Sequence, residues 1–179
     1  MISDDAIGRE KEASGADRLT WFEPFLPASR SKIIFFVVVA CYSFTLSTLM
    51  GRLVRLCGLW PKTVDPIRHV VRNVRLGAEH SPAWTGLILA PILESILIMG
   101  LIGLLRRAKF SSTLQIVVSA AIICSLHSAM YLVWGFLVFP LFFIGAASYV
   151  YWRHISFWTG TLALIWVHFF ENAAAFLIS

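Results

Sequence analysis

The sequence predicts an all-α fold: a polytopic membrane helix bundle of about five transmembrane helices plus an amphipathic interfacial helix. Three observations predict it. The 179 residues are 58% hydrophobic and 14% charged, with a mean hydropathy of +0.77, far from the composition of a soluble domain. Five apolar stretches approach the roughly 20 residues that a spanning helix needs. Charged residues gather between those stretches: of the ten acidic residues only Glu94 and Glu171 lie beyond residue 80.

Three segments follow. Residues 1–29 are a polar tail that ends in WFEPFLPAS, whose aromatics and prolines suit a non-helical entry at the interface. The tail carries no short apolar region before a small-residue cleavage site, so no cleavable signal peptide is expected. Residues 30–82 hold the first span, about Lys32 to Met50, and a basic amphipathic segment. The span has no ionisable group in its middle, and a structural or lipid-facing role is expected of it. In DPIRHVVRNVRLG, Asp65 is a suitable N-cap, Pro66 a suitable first helical residue and Gly77 a suitable C-cap. Ile67, Val70, Val71 and Val74 form one stripe, and Arg68, Arg72 and Arg75 another, as in a helix lying in the membrane interface.

Residues 83–179 hold four further spans. The second, Ala83 to Leu105, reads AWTGLILAPILESILIMGLIGLL. The third runs from about Ser112 to Trp134, with Gly135 expected to make a tight turn. The fourth runs from about Phe136 to Trp152 and contains the small residues Gly145, Ala146, Ala147 and Ser148, which let helices approach closely in lipid. The fifth runs from about Phe157 to Ile178. Lys and Arg number nine on the side of the tail and the loops at 106–111 and 153–156, and six in the loop 51–82. This favours a cytoplasmic N-terminus.

Composition also excludes. No basic patch interleaved with exposed aromatics marks a soluble domain, so no nucleic-acid partner is expected. Cys41, Cys57 and Cys124 share no metal-ligand spacing, and each reads as a small buried hydrophobe. The lipid bilayer is the one partner that composition itself requires.

The second span carries the first functional signal. Glu94 lies near its middle, where an ionisable side chain costs at least about 2.5–3.5 kcal/mol on insertion scales. The other polar outliers in the later spans are His127, His168, Glu171 and Asn172. Counting from the side that holds residues 51–82, helical rise puts Glu94 at about 17 Å, His127 at about 11 Å and His168 at about 15 Å. Three helices thus bring their ionisable groups to a similar depth. His168 and Asn172, at i and i+4, share one helical face.

A carboxylate beside an imidazole can take a proton from water. A second imidazole and a carboxamide can donate to the oxyanion of a tetrahedral intermediate. That set suffices for amide hydrolysis without a metal or other cofactor. Two His and a Glu are also a known catalytic zinc set, but the chain has no H-E-x-x-H and Asn is a poor zinc ligand. Ser95, Ser125 and Ser128 lack the Gly-rich elbow or nearby Lys of a serine nucleophile. The role of Glu171 is open at this stage; Arg153 or His154 would reach it only at full stretch.

These residues resemble a family. APILES followed by Gly100 resembles the first motif of the CPBP intramembrane proteases, the prenyl-CAAX and bacteriocin-processing group, which usually reads A-P-x-x-E-E-x-x-x-R-G. ICSLH resembles the second, with Ile123 in place of the Phe that precedes the His by four. HFFEN matches the third, H-x-x-x-N or H-x-x-x-D, and SFWTGTLALIWVH is similar to the run before it. The resemblance covers residues 83–178. It implies a glutamate-type intramembrane endopeptidase in which Glu94 is the general base, His127 helps to position and activate the water, and His168 with Asn172 forms the oxyanion hole. The implied partner is a peptide or protein substrate with a membrane-associated segment: a leader, a prenylated C-terminus or a C-terminal sorting tail. The expected location is a bacterial inner (plasma) membrane. Ser95 stands where the motif has its second Glu, and Met99 where it has its Arg, so a carboxylate and its ionic partner are absent together.

Two other functions compete. One is a non-catalytic membrane scaffold or immunity-type protein on the same fold, which the convergence of the four groups on one cavity would disfavour. The other is a proton-coupled transporter, which needs inverted repeats that the chain does not show.

Overall fold

A computed structural model describes residues 32–60 and 84–178. The polar tail and the amphipathic segment at 65–76 lie outside the described residues. Five helices follow in order: α1 (Lys32–Leu56), α2 (Ala90–Arg107, preceded by a π-helical turn at Thr85–Leu89), α3 (Ser112–Met130), α4 (Trp134–Arg153) and α5 (Phe157–Ile178). All five are long and apolar enough to cross a membrane, and no strand occurs among the described residues. The protein is an integral membrane protein whose described residues form an all-α bundle of five candidate spans.

Helix ends follow local chemistry. α1 continues two turns past the expected Met50 and stops where Gly58 adopts φ 69°. There the N–H of Leu59 donates to the Val54 carbonyl and that of Gly58 to the Arg55 carbonyl, a Schellman stop that needs a left-handed residue. α2 stops in the same way on Lys109, at φ 61°. Ser111 then caps α3, its Oγ accepting from the Leu114 N–H.

α3 ends four residues before the expected Trp134, because Tyr131 is extended and the Ser128 hydroxyl donates to the Leu132 carbonyl beyond the break. The turn is therefore Tyr131–Val133, and Gly135 belongs to α4. What Gly135 supplies is close approach: a Cβ there would collide with Ser128 Oγ and the Cys124 carbonyl.

α4 is the central helix, packed by α1, α3 and α5. Gly145, Ala146, Ala147 and Ser148 are all buried in it, so the small-residue patch is where the bundle closes. Ile98, Ile102, Ile116, Ile123, Phe142, Val150 and Leu164 complete the core. α2 packs on α3 and α5 and touches the edge of α4. Large apolar side chains cover the outside, as a lipid-facing surface requires. Cys124 is buried, but Cys41 and Cys57 are exposed. Their expected role as buried hydrophobes is corrected: both project from α1 or its end away from the core.

Candidate functional site

Glu94, His127 and His168 meet, each from a different helix. Glu94 Oε2 is 3.3 Å from His168 Nε2 and 3.8 Å from His127 Nε2. The side chains are 28%, 18% and 4% exposed, in the order Glu94, His127, His168, so Glu94 is the most open of the three and His168 the deepest, although Glu94 Oε2 itself is buried. Phe142 of α4 lies beneath both imidazoles, 5.1 Å from the His127 ring and 5.2 Å from the His168 ring, centroid to centroid. Trp134 meets the His127 ring edge-on at 5.6 Å. His127 lies three residues from the end of its helix, where the expected span to Trp134 put it seven from the end. With α3 ending at Met130, His127 sits in the last turn, and the convergence is completed by its side-chain reach and by Trp134 folding over it.

The proton on His127 is located by its partner. Nδ1 lies 2.9 Å from the Ile123 carbonyl, which can only accept, so Nδ1 carries a hydrogen and donates it. In the neutral ring, Nε2 then holds a lone pair, and that atom faces Glu94. His168 is less constrained. Its Nδ1 is buried with no hydrogen-bond partner among the described residues, and Glu94 Oε2 likewise makes no hydrogen bond of good geometry there. Such polar atoms are costly unless a water or substrate completes them.

Asn172 meets α2 through a contact of its own. Its Nδ2 donates to the Gly86 carbonyl at 2.9 Å, in the π-helical turn that opens the second span. The cluster of three and the Asn172–Gly86 bond thus tie α5 to α2 at two levels. Along the same seam, Leu87, Ile88, Pro91, Leu162, Ile165 and Phe169 are among the residues lining a wholly apolar cleft of about 160 Å³.

Sequence reasoning missed the surroundings of Glu171. Its Oε1 accepts from Ser43 Oγ at 2.9 Å and from Ser47 Oγ at 2.7 Å, a buried clamp between α1 and α5. The available signal was the i, i+4 pair of serines on one face of an otherwise apolar span. Of the two roles expected of it, α1 therefore has the structural one.

The motif departures are also located. Ser95 is fully buried, with its hydroxyl unpartnered among the described residues. Met99 Sδ is 3.3 Å from Thr161 Oγ1 of α5. No group of three His, Cys, Asp or Glu among the described residues is arranged to hold a metal ion. A ligating imidazole also needs a partner for its second ring nitrogen, and His168 Nδ1 has none among them. Searches of protein-family models, curated proteins and solved structures find no match to this chain.

Proposed function

We propose that the protein is an intramembrane endopeptidase that hydrolyses a peptide bond of a membrane-associated protein or peptide with water activated by Glu94 and His127. The observation that carries this reading is the meeting of Glu94, His127 and His168 from three helices, with Oε2 within 3.3 and 3.8 Å of two imidazole nitrogens. An intramembrane carboxylate is costly enough to be a functional candidate by default. Three such groups gathered on one point are more than packing requires. The motif likeness of residues 83–178 points the same way.

Each group has a role that its protonation permits. A water admitted between the two side chains donates one hydrogen bond to Glu94 Oε2 and the other to the lone pair on His127 Nε2, which leaves its own lone pair free. Glu94 takes the proton as the water oxygen bonds to the peptide carbonyl carbon. His168, with Nε2 protonated, donates to the resulting oxyanion. Asn172 is the expected second donor through the N–H that Gly86 does not use, since a carboxamide has two. Glu94 then passes its proton to the departing nitrogen, the C–N bond breaks, and a carboxylic acid and an amine leave, the acid then giving its proton to the amine. No metal or cofactor takes part. The proposed setting is a bacterial inner membrane, with a leader, a prenylated C-terminus or a sorting tail as substrate.

The test is a comparison of membrane-protein termini in cells carrying wild-type or Glu94→Gln protein. New termini that depend on Glu94 support the reading. Identical termini sink it and favour a non-catalytic scaffold.

A further inference from the structure

The π-helical turn at Thr85–Leu89 has a cause and a consequence. In it, the N–H of Ala90 donates to the Thr85 carbonyl, five residues back. The next donor in that register would be the N–H of residue 91, directed at the Gly86 carbonyl. Residue 91 is proline and has no N–H. Gly86 therefore loses its helical donor, and Asn172 Nδ2 supplies one from α5 at 2.9 Å.

The alternative register makes the choice plain. In a regular α-helix, Ala90 would donate to Gly86, and Pro91 would instead leave the Leu87 carbonyl without a donor. The two registers therefore withhold a donor from different carbonyls, Leu87 in the α register and Gly86 in the π register. Asn172 lies against the carbonyl that only the π register strands.

The register governs where Glu94 points. At about 100° per residue, Gly86 and Glu94 would lie about 80° apart around a regular α-helix. A π turn absorbs one residue, which brings them to within about 20° of one face. That face meets α5 twice, at Asn172 and, one helical turn earlier in α5, at His168.

We propose that Asn172 is a positioning residue: by giving the Gly86 carbonyl the donor that Pro91 withholds, it selects the π register at the head of α2 and so turns Glu94 toward His168. This deepens the protease reading, and rests on it only for the consequence on cleavage. It assigns Asn172 a duty that does not require contact with substrate.

The test needs no substrate. Purified full-length protein in lipid vesicles is treated with dicyclohexylcarbodiimide, a lipid-soluble reagent for carboxyl groups. Labelling of Glu94 and Glu171 is then read by mass spectrometry in the same molecules. Asn172→Ala, and the equal-volume but donor-less Asn172→Asp, should each raise labelling of Glu94 severalfold as it turns from His168 toward lipid, while Glu171 keeps its wild-type rate. Asn172→Gln retains an N–H and should stay nearer to wild type. Unchanged Glu94 labelling in both the Ala and Asp variants overturns the proposal. So does a parallel rise at Glu94 and Glu171, which marks general loosening of the bundle. Lost cleavage with unchanged labelling would place Asn172 on the substrate and leave the protease reading standing. A selective labelling shift in a protein for which no substrate emerges would sustain the register role while that reading fell.

Discussion

Glu94 Oε2 and His168 Nε2 face each other at 3.3 Å across the seam between α2 and α5, with His127 Nε2 next to them at 3.8 Å. Glutamine at position 94 keeps the volume and a hydrogen-bonding oxygen but cannot accept a proton near neutral pH. Glu94→Gln should therefore abolish cleavage while the protein still inserts and unfolds at a temperature close to that of wild type. Retained wild-type cleavage of an identified substrate would end the glutamate mechanism.

The two ring nitrogens of His127 can be separated by substitution. Nδ1–H holds the Ile123 carbonyl at 2.9 Å, and an asparagine amide can occupy much the same place. His127→Asn should thus keep α3 folded and remove the atom that faces Glu94, together with the ring's contacts to Phe142 and Trp134. Turnover should fall by about 10²–10⁴, the usual share of positioned acid–base chemistry. The thermal midpoint in detergent should move little. A large stability loss with residual activity in proportion would mark His127 as a packing residue.

The bundle and the site were legible in the sequence to different depths. Burial in lipid sums over a whole span, so five helices can be read from apolar runs, and α5 has its expected limits. Glu94, His127 and His168 stand out because each is a polar group in such a run. Helix ends depend instead on single contacts: the Ser128–Leu132 bond stops α3, and Gly58 and Lys109 close α1 and α2. The partner of Asn172 was hidden for the same reason, since it is defined by the donor that Pro91 lacks. The partners of Glu171 were less visible because hydroxyls are not outliers in an apolar span, and only the i, i+4 spacing of Ser43 and Ser47 marks them.

The clamp on Glu171 predicts a stability effect. Interhelical hydrogen bonds in membrane proteins average about 0.6 kcal/mol, with a maximum near 1.7. A buried polar group stripped of its donors costs about 1–3 kcal/mol or more. Ser43→Ala with Ser47→Ala should cost more than either change alone, and more in the presence of Glu171 than in a Glu171→Leu background. A thermodynamic cycle in detergent measures this, and additive losses would show that the hydroxyls do not serve the carboxylate.

Glycines in this bundle are not equivalent. A Cβ at Gly135 would run into Ser128 Oγ and the Cys124 backbone, whereas one at Gly100 or Gly103 meets nothing within 4 Å. Gly135→Ala should destabilise by about 1–3 kcal/mol, the usual cost of overpacking. It should also disturb cleavage, because the adjacent Trp134 covers His127. Gly103→Ala should be neutral or stabilising, by up to about 1 kcal/mol from helix propensity. Equal effects at the two positions would contradict the close crossing of α3 and α4.

The proposed metal-free mechanism can be tested on the purified protein. His₂Glu is a zinc-binding set in other proteins, and here those three side chains already adjoin. One feature opposes a resident metal: among the described residues His168 Nδ1 lacks the outer partner that orients a ligating ring. Cleavage should accordingly be unaffected by 1,10-phenanthroline. Added zinc should inhibit, by drawing Glu94 Oε2 and a neighbouring Nε2 out of reach of the water. His127→Asn should weaken that inhibition, because it removes one of the nitrogens that zinc would engage. Activity lost to the chelator and restored by stoichiometric zinc would replace the glutamate base with a metal-bound water, and would require His168 to be a ligand instead of a hydrogen-bond donor.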